Sequence, residues 1–101
     1  MVELKNLNKT YYLANHTVEA IKDVSLTVHD GEVFGVIGYS GAGESSLVRC
    51  INLLEVPDSG TITVDGTAVT WEENGVFKRL SNHDMQQVRK KIGMIFQHFN
   101  L

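Results

Sequence analysis

The architecture of this chain follows from residues 33–46, which read VFGVIGYSGAGESS. Residues 33–37 are continuously apolar, and such a run predicts a strand covered on both faces. The glycines that follow let backbone N–H groups point at an anion, and the next helix adds the positive end of its dipole. The segment matches the phosphate-loop pattern G-x-x-x-x-G-K-[ST], except that Glu44 replaces the lysine.

Glu44 bears directly on whether this loop can hold a nucleotide. The lost charge-assisted contact is worth about 1.5–3 kcal/mol, and a like charge at about 4 Å adds up to about 4 kcal/mol at an effective dielectric of about 20. A penalty of about 4 kcal/mol is roughly a thousandfold in affinity. Because a carboxylate stabilises the first turn of a helix, we hypothesise that Glu44 caps its own helix and occupies the anion site itself.

Size and composition predict one small domain over residues 1–101. Hydrophobic residues make up 43% of the sequence, and the net charge of -3 argues against a nucleic-acid-binding domain with a basic face. The sequence has no apolar run of about 18 residues and no signal peptide at its start, which favours the cytosol over insertion in a membrane. Cys50 is the only cysteine and is interpreted as a small hydrophobe in a helix. The histidines lack zinc-site spacing.

Hydrophobic periodicity predicts the elements that surround the glycine loop. Alternation predicts a strand over residues 2–7, and residues 18–28 carry two strand-like runs before an Asp30-Gly31 turn. A helix is predicted over residues 45–54, and the segment from Pro57 to Gly60 ends this unit. The apolar side of that helix comprises Leu47, Val48, Ile51 and Leu54.

Turn residues organise the stretch that follows. Residues 61–69 predict a hairpin around the two-residue turn Asp65-Gly66. Residues 71–80 are polar, and we expect them to be irregular apart from a turn at Asn74-Gly75.

A helix and a strand are predicted for the last part of the sequence. Ser81 and Asp84 form a capping pair that opens a short helix ending at Arg89 or Lys90. Residues 92–96 are apolar and predict a last strand.

Taken together, these segments resemble the N-terminal part of an ABC-transporter ATPase subunit, most closely the methionine-importer type. The resemblance covers essentially the whole chain and is weakest from residue 71 to 81. It implies an α/β fold derived from the P-loop NTPases, here an α+β-like fragment with a mainly antiparallel sheet and a P-loop strand–helix unit. A rearranged or domain-swapped version is the alternative. The matching segments are 35–38, the glycine loop, 47–55, 60–66 and 92–101.

The resemblance also implies a site for ATP and Mg²⁺. In the family an aromatic residue stacks on adenine, and Tyr11 matches its position, with Tyr12 a close second. The loop amides hold the phosphates, the hydroxyl at Ser45 binds Mg²⁺, and Gln97 reaches the metal and the attacking water. The implied nucleotide-binding residues are Tyr11, Gly38, Ser40, Gly41, Ala42, Gly43, Glu44, Ser45, Ser46 and Gln97, with Ser45 and Gln97 as magnesium ligands.

Two departures from the family pattern limit the expected activity. Glu44 replaces the lysine, and the sequence stops after the glutamine loop at Leu101, before the Leu-Ser-Gly-Gly-Gln signature, the catalytic glutamate and the switch histidine. We therefore expect a truncated nucleotide-binding fragment related to methionine or amino-acid import, with weak or no ATP binding and no hydrolysis by itself. Family members are peripheral on the inner face of the cell membrane.

A different class of function is also consistent with the sequence. If the apolar strand at residues 33–37 lacks its parallel neighbours, its open flanks can pair with another chain. This predicts self-association through an exchanged strand or helix, and a self-assembling interaction protein that acts as a decoy or sequestering scaffold. A second copy of this chain is the expected partner, and a full-length ABC ATPase subunit or transporter is the alternative. A remnant without a selected role is the third interpretation.

Overall fold

The computed structural model describes residues 1–29 and 49–95. Within these residues, five strands form one antiparallel sheet in the order β2-β1-β3-β4-β5. The predicted mainly antiparallel sheet is therefore confirmed. The elements are β1 (Val2–Tyr12), β2 (Thr17–Val28), β3 (Ser59–Val64), β4 (Thr67–Glu73), β5 (Val76–Arg79) and α1 (Asn82–Ile95), and residues 49–51 are also helical.

Strand β1 lies between β2 and β3 and contains a bulge at Asn6. Asn6 has a φ of 52°, a left-handed conformation that asparagine tolerates better than most residues. The four residues of β1 from Leu4 to Leu7 lie opposite only three residues of β2, from Val24 to Leu26, and the pairing with β3 shifts in the same place. The extra residue reverses the alternation of side chains, so the buried positions change from Val2 and Leu4 to Leu7.

The two strand-like runs predicted within residues 18–28 belong to one continuous strand, β2. They are separated by a second irregularity at Asp23, whose φ is 48°. The side-chain amide of Asn6 donates to Asp23 Oδ1 at 2.8 Å. The Asp23 backbone N–H donates to Asn8 Oδ1 at 2.9 Å. These side chains satisfy backbone and polar groups where the regular ladder is interrupted.

Tight turns join β3, β4 and β5. Asp65-Gly66 connects β3 to β4 with φ values of 47° and 82°, as predicted, and Asn74-Gly75 connects β4 to β5 with φ values of 54° and 78°. Positive φ at both positions is typical of type I′ turns, which suit the twist of a hairpin. The expectation that residues 71–80 are irregular is wrong, because Trp71 pairs with Lys78 in a second hairpin. Most of its side chains are exposed, so no apolar alternation marks it in the sequence.

Helix α1 begins where the sequence predicts but ends later. The Asp84 backbone N–H donates to Ser81 Oγ at 3.1 Å, which is the predicted cap. The predicted end at Arg89 or Lys90 is wrong, and so is the predicted strand at 92–96, because residues 92–95 are helical. Met85, Val88 and Ile92 pack against the core at a helical spacing, and a short apolar run cannot by itself separate helix from strand.

The helix predicted over residues 45–54 ends earlier than expected. Leu53 has a φ of 59°, its N–H donates to the Cys50 carbonyl, and the Leu54 N–H donates to the Arg49 carbonyl at 2.8 Å. This is the Schellman pattern that ends a helix. Ile51 is buried as predicted, whereas Leu54 is 66% exposed. The predicted turn at Asp30-Gly31, the strand at 33–37 and the start of this helix lie outside the described residues.

Gly60 in β3 lies against the bulge of β1. Its φ is 108°, and a Cβ atom there would lie 2.6 Å from the Asn6 carbonyl oxygen and 2.8 Å from Leu7 Cα. Thr70 is buried beside it and bonds on two sides: its hydroxyl donates to the Gly60 carbonyl and accepts from the Ile62 N–H. The bulge therefore requires glycine at this position.

We expect Gly60→Ala to destabilise the fold by at least about 2 kcal/mol, because it combines backbone strain with contacts to backbone atoms that cannot move aside. Gly66→Ala is the matched control, since Gly66 has a φ of 82° but no atom within 4 Å of a Cβ. Urea unfolding of the two variants measures the difference. Equal destabilisation would show that the contacts with the bulge do not matter.

Candidate functional site

The candidate site contains the predicted aromatic residue at the end of β1. Tyr11 pairs with Val18 of β2 and is half-buried against the core, whereas Tyr12 is 80% exposed. Side chains point alternately to the two faces of a strand, so Leu7, Lys9 and Tyr11 lie on the same face of β1 after the bulge. The Lys9 ammonium lies 5.4 Å from the centre of the Tyr11 ring, within the range of a cation–π interaction.

Lys9 connects this end of β1 to the segment that follows residues 49–51. Its Nζ lies 3.7 Å from Glu55 Oε1 and 3.6 Å from Asp58 Oδ1, and it donates to the Val56 carbonyl at 3.2 Å. The Lys9 side chain is only 17% exposed. A half-buried cation with these acceptors is held in place, unlike a lysine on an open surface.

Asp58 strengthens the same connection through the backbone. Its Oδ2 accepts from the Thr10 N–H at 2.7 Å, and its own N–H donates to the Asn8 carbonyl at 2.8 Å. We call residues 55–58 the tether, because together with Lys9 they fasten the chain after the helical residues to the strand that carries Tyr11. The tether continues the β1–β3 ladder, whose last pair is Asn8 with Ser59.

A second contact fixes the same helix end from the other side. Arg89 in α1 donates from Nη2 to the Leu53 carbonyl at 2.7 Å, which satisfies a carbonyl group at a helix end. The short helical stretch is therefore held between β1 and α1.

Cys50 lies in the helical residues that precede the tether and is fully buried. Burial raises the pKa of its thiol to about 12, and the Glu55 carboxylate adds to the effect while Lys9 opposes it. The thiol is therefore protonated at neutral pH, which makes it a poor nucleophile and a poor metal ligand. The interpretation of Cys50 as a small hydrophobe in a helix is confirmed.

The predicted site residues fall into two groups. Tyr11 lies in the described part of the chain, on the strand whose residues Lys9 and Thr10 contact the tether. The other candidates lie outside the described residues: Gly38, Ser40, Gly41, Ala42, Gly43, Glu44, Ser45, Ser46 and Gln97.

Sequence reasoning missed Lys9, Glu55 and Asp58. Lys9 is separated from the two carboxylates by more than forty positions, and no motif or periodicity relates them. Among residues 1–29 and 49–95, no three His, Cys, Asp or Glu side chains are grouped so that they could hold a metal ion. In the same residues, no helix has the length and apolar character needed to cross a membrane.

Comparison with known proteins adds the family context. Residues 21–101 match the family model described as ABC transporter. The chain is 50% identical over 101 residues to the methionine import ATP-binding protein MetN of Photobacterium profundum, covering 100% of this chain and 27% of that protein. A MetN 1 protein of Listeria monocytogenes is also 50% identical, with 28% of its length covered. The chain thus spans about a quarter of the length of these curated relatives.

Solved structures show the same fold. A dimeric structure of a post-hydrolysis state of the ATP-binding cassette MJ0796, bound to ADP and Pi, aligns with a TM-score of 0.69 and 29% identity. The alignment covers 89% of this chain and 35% of that one. A second dimeric structure of MJ0796, described as a bacterial ABC transporter cassette, aligns with a TM-score of 0.69 and 28% identity.

The buried thiol predicts a pH dependence of stability. The unfolded chain ionises Cys50 near its ordinary pKa of 9.0 while the folded chain keeps its proton up to about 12. The folded state then binds more protons than the unfolded state, so stability falls as the pH rises from about 9 to about 12. We expect denaturant unfolding to show a steeper loss over this range for the native chain than for Cys50→Ala. Parallel profiles would contradict the burial of the thiol.

Proposed function

The chain belongs to the ABC transporter family, and from this membership we propose that its 101 residues form the nucleotide-binding end of an ATP-binding subunit of the methionine-import type. The observation that carries the proposal is the 50% identity to methionine import ATP-binding proteins along the whole chain. Because the chain covers about a quarter of those proteins, ATP binding, the imported substrate and the transport partner are proposed by relation to them. A cytoplasmic location at the inner face of the membrane is part of the same proposal.

The proposed site joins Tyr11 to the glycine loop. Tyr11 supplies an aromatic face for the base, and the loop amides at residues 38–46 supply donors for phosphate oxygens. The Ser45 hydroxyl and the Gln97 amide oxygen are the hard oxygen ligands that Mg²⁺ prefers. The tether supports this proposal, since it holds the Tyr11 strand against the segment that follows the loop.

Glu44 is the residue that does not suit a triphosphate. A carboxylate in the lysine position repels the outer phosphates and cannot stabilise the charge that develops during phosphoryl transfer. We therefore propose that these 101 residues alone bind ATP weakly and do not hydrolyse it.

Self-association is the second candidate function. Both aligned MJ0796 structures are described as dimeric. In the described residues, several large apolar side chains are more than half exposed, which favours contact with another protein surface. A second copy of this chain or a full-length ABC ATPase subunit would be the partner. The exposed apolar side chains in the described residues are Tyr12, Leu13, Leu54 and Val76.

Charge at position 44 should control nucleotide affinity. We expect Glu44→Lys to tighten ATP–Mg²⁺ binding by up to roughly a thousandfold in calorimetric titrations. Glu44→Gln should give an intermediate affinity, because it removes the repulsion without adding the lysine contact. Micromolar binding by the native chain would contradict the proposed effect of Glu44.

Self-association should be visible as a dependence on protein concentration. We expect the mass measured by light scattering and the melting temperature to rise together as the protein concentration increases. The same melts with ATP–Mg²⁺ separate the two functions, since a nucleotide site predicts a shift with ligand at constant protein concentration. A monodisperse monomer at high concentration would exclude the second function.

A further inference from the structure

The turn between β4 and β5 brings together two groups that can react with each other. Asn74 is followed directly by Gly75, and it is the only asparagine of the sequence that precedes a glycine. Both residues are exposed, and nothing lies within 4 Å of the place that a Cβ atom of Gly75 would occupy. The Gly75 nitrogen is therefore shielded neither by a side chain of its own nor by a group from elsewhere in the described chain.

No hydrogen bond holds these two groups in the described part of the chain. Neither the Asn74 side-chain amide nor the Gly75 backbone N–H has a partner there. The turn between β3 and β4 has similar φ values, but its first residue is held. The Asp65 N–H donates to the Met1 carbonyl at 2.8 Å, and the Asp65 carboxylate accepts from the Met1 ammonium. Two turns of one type thus differ in the freedom of their side chains.

Strand β5 gives the Asn74-Gly75 turn little support against opening. The strand is 4 residues long, lies at the edge of the sheet and, among the described strands, pairs with β4 alone. The pair that closes the turn, Glu73 with Val76, consists of two exposed residues. Exposed turns of this kind open locally at a low cost in free energy. Opening gives the backbone the freedom to bring the Gly75 nitrogen to Asn74 Cγ.

We propose that Asn74 is a deamidation site, at which the folded chain converts to aspartate and isoaspartate without an enzyme. The Gly75 nitrogen attacks Asn74 Cγ, the new N–Cγ bond closes a cyclic imide, and the side-chain nitrogen leaves as ammonia with the proton of the Gly75 N–H. Water then opens the imide. Cleavage at Cγ gives aspartate, whereas cleavage at the main-chain carbonyl carbon gives isoaspartate, whose backbone runs through the side chain.

The isoaspartate product alters the hairpin in a way that aspartate does not. Its backbone contains an additional methylene group, whereas the length of the native turn fixes the pairing of Glu73 with Val76. The longer turn no longer fits this register, so β5 loses its pairing with β4. Aspartate keeps the native backbone and adds a negative charge beside Glu72 and Glu73. The site thus provides a slow and irreversible release of the edge strand.

The first test follows the chemistry in the folded chain. The native chain is incubated in mildly alkaline buffer, and peptide mapping by mass spectrometry, with fragmentation that separates isoaspartate from aspartate, measures both products at position 74. We expect a rate within roughly tenfold of that in the urea-unfolded chain, because the turn opens easily. Asn74→Gln should stay unmodified, since the longer side chain closes its ring far more slowly. An Asn74 that stays intact while the unfolded chain converts would overturn the proposal.

A matched turn in the same sheet tests whether freedom of the turn selects the site. Asp65→Asn places an asparagine before Gly66 at similar φ values. Because Met1 holds this position through its carbonyl and its ammonium, we expect the new side chain to react at least roughly threefold more slowly than Asn74 in the same molecule. Equal conversion at the two positions would contradict selection by the free turn.

Hydrogen exchange on the aged chain measures the release of β5. Molecules with isoaspartate at position 74 should lose protection by roughly tenfold or more at the backbone amides of Trp71 and Lys78, which pair in the native hairpin. Molecules with aspartate should keep this protection, and so should the amides of β1 in both forms. Unchanged protection in the isoaspartate form would overturn the release. These outcomes are independent of nucleotide binding and of the proposed function.

Discussion

The bulge at Asn6 is the constraint on which the described structure depends. Side chains alternate strictly along a strand, so a single extra residue exchanges the face toward the core for the face toward solvent. Before the bulge, Val2 and Leu4 enter the core, and after it Leu7 does. The same reversal places Lys9 where its ammonium meets the tether. Gly60 makes room for the bulge because it has no Cβ to meet the Asn6 carbonyl.

The tether converts this strand geometry into a link between distant parts of the chain. Asp58 bonds to the backbone of β1 through its carboxylate and its own N–H, and Lys9 adds an ionic contact to the same residue. Leu53 ends the preceding helix in a left-handed conformation that glycine would adopt more easily, and Arg89 bonds to its carbonyl. The helix end is therefore held by several groups rather than by one favourable residue.

Family membership and local chemistry lead in different directions at the phosphate loop. Identity of 50% to methionine import ATP-binding proteins supports the proposed nucleotide site. The negative charge of Glu44 would repel the phosphates of a nucleotide bound there. Tyr11 and its neighbours need no phosphate to be ordered, because the described contacts of Lys9 and Asp58 are internal to the protein.

Local patterns were sufficient for the hairpin turn at Asp65-Gly66, for the cap at Ser81 and for the family resemblance, since each depends on residues close in sequence. They were not sufficient where tertiary packing selects between two local options. Residues 92–95 suit a strand or a helix, and packing of Ile92 in line with Met85 selects the helix. The pairing of Lys9 with Glu55 and Asp58 depends on which face of β1 they meet, and one backbone bulge, stabilised by contacts far along the chain, sets that face.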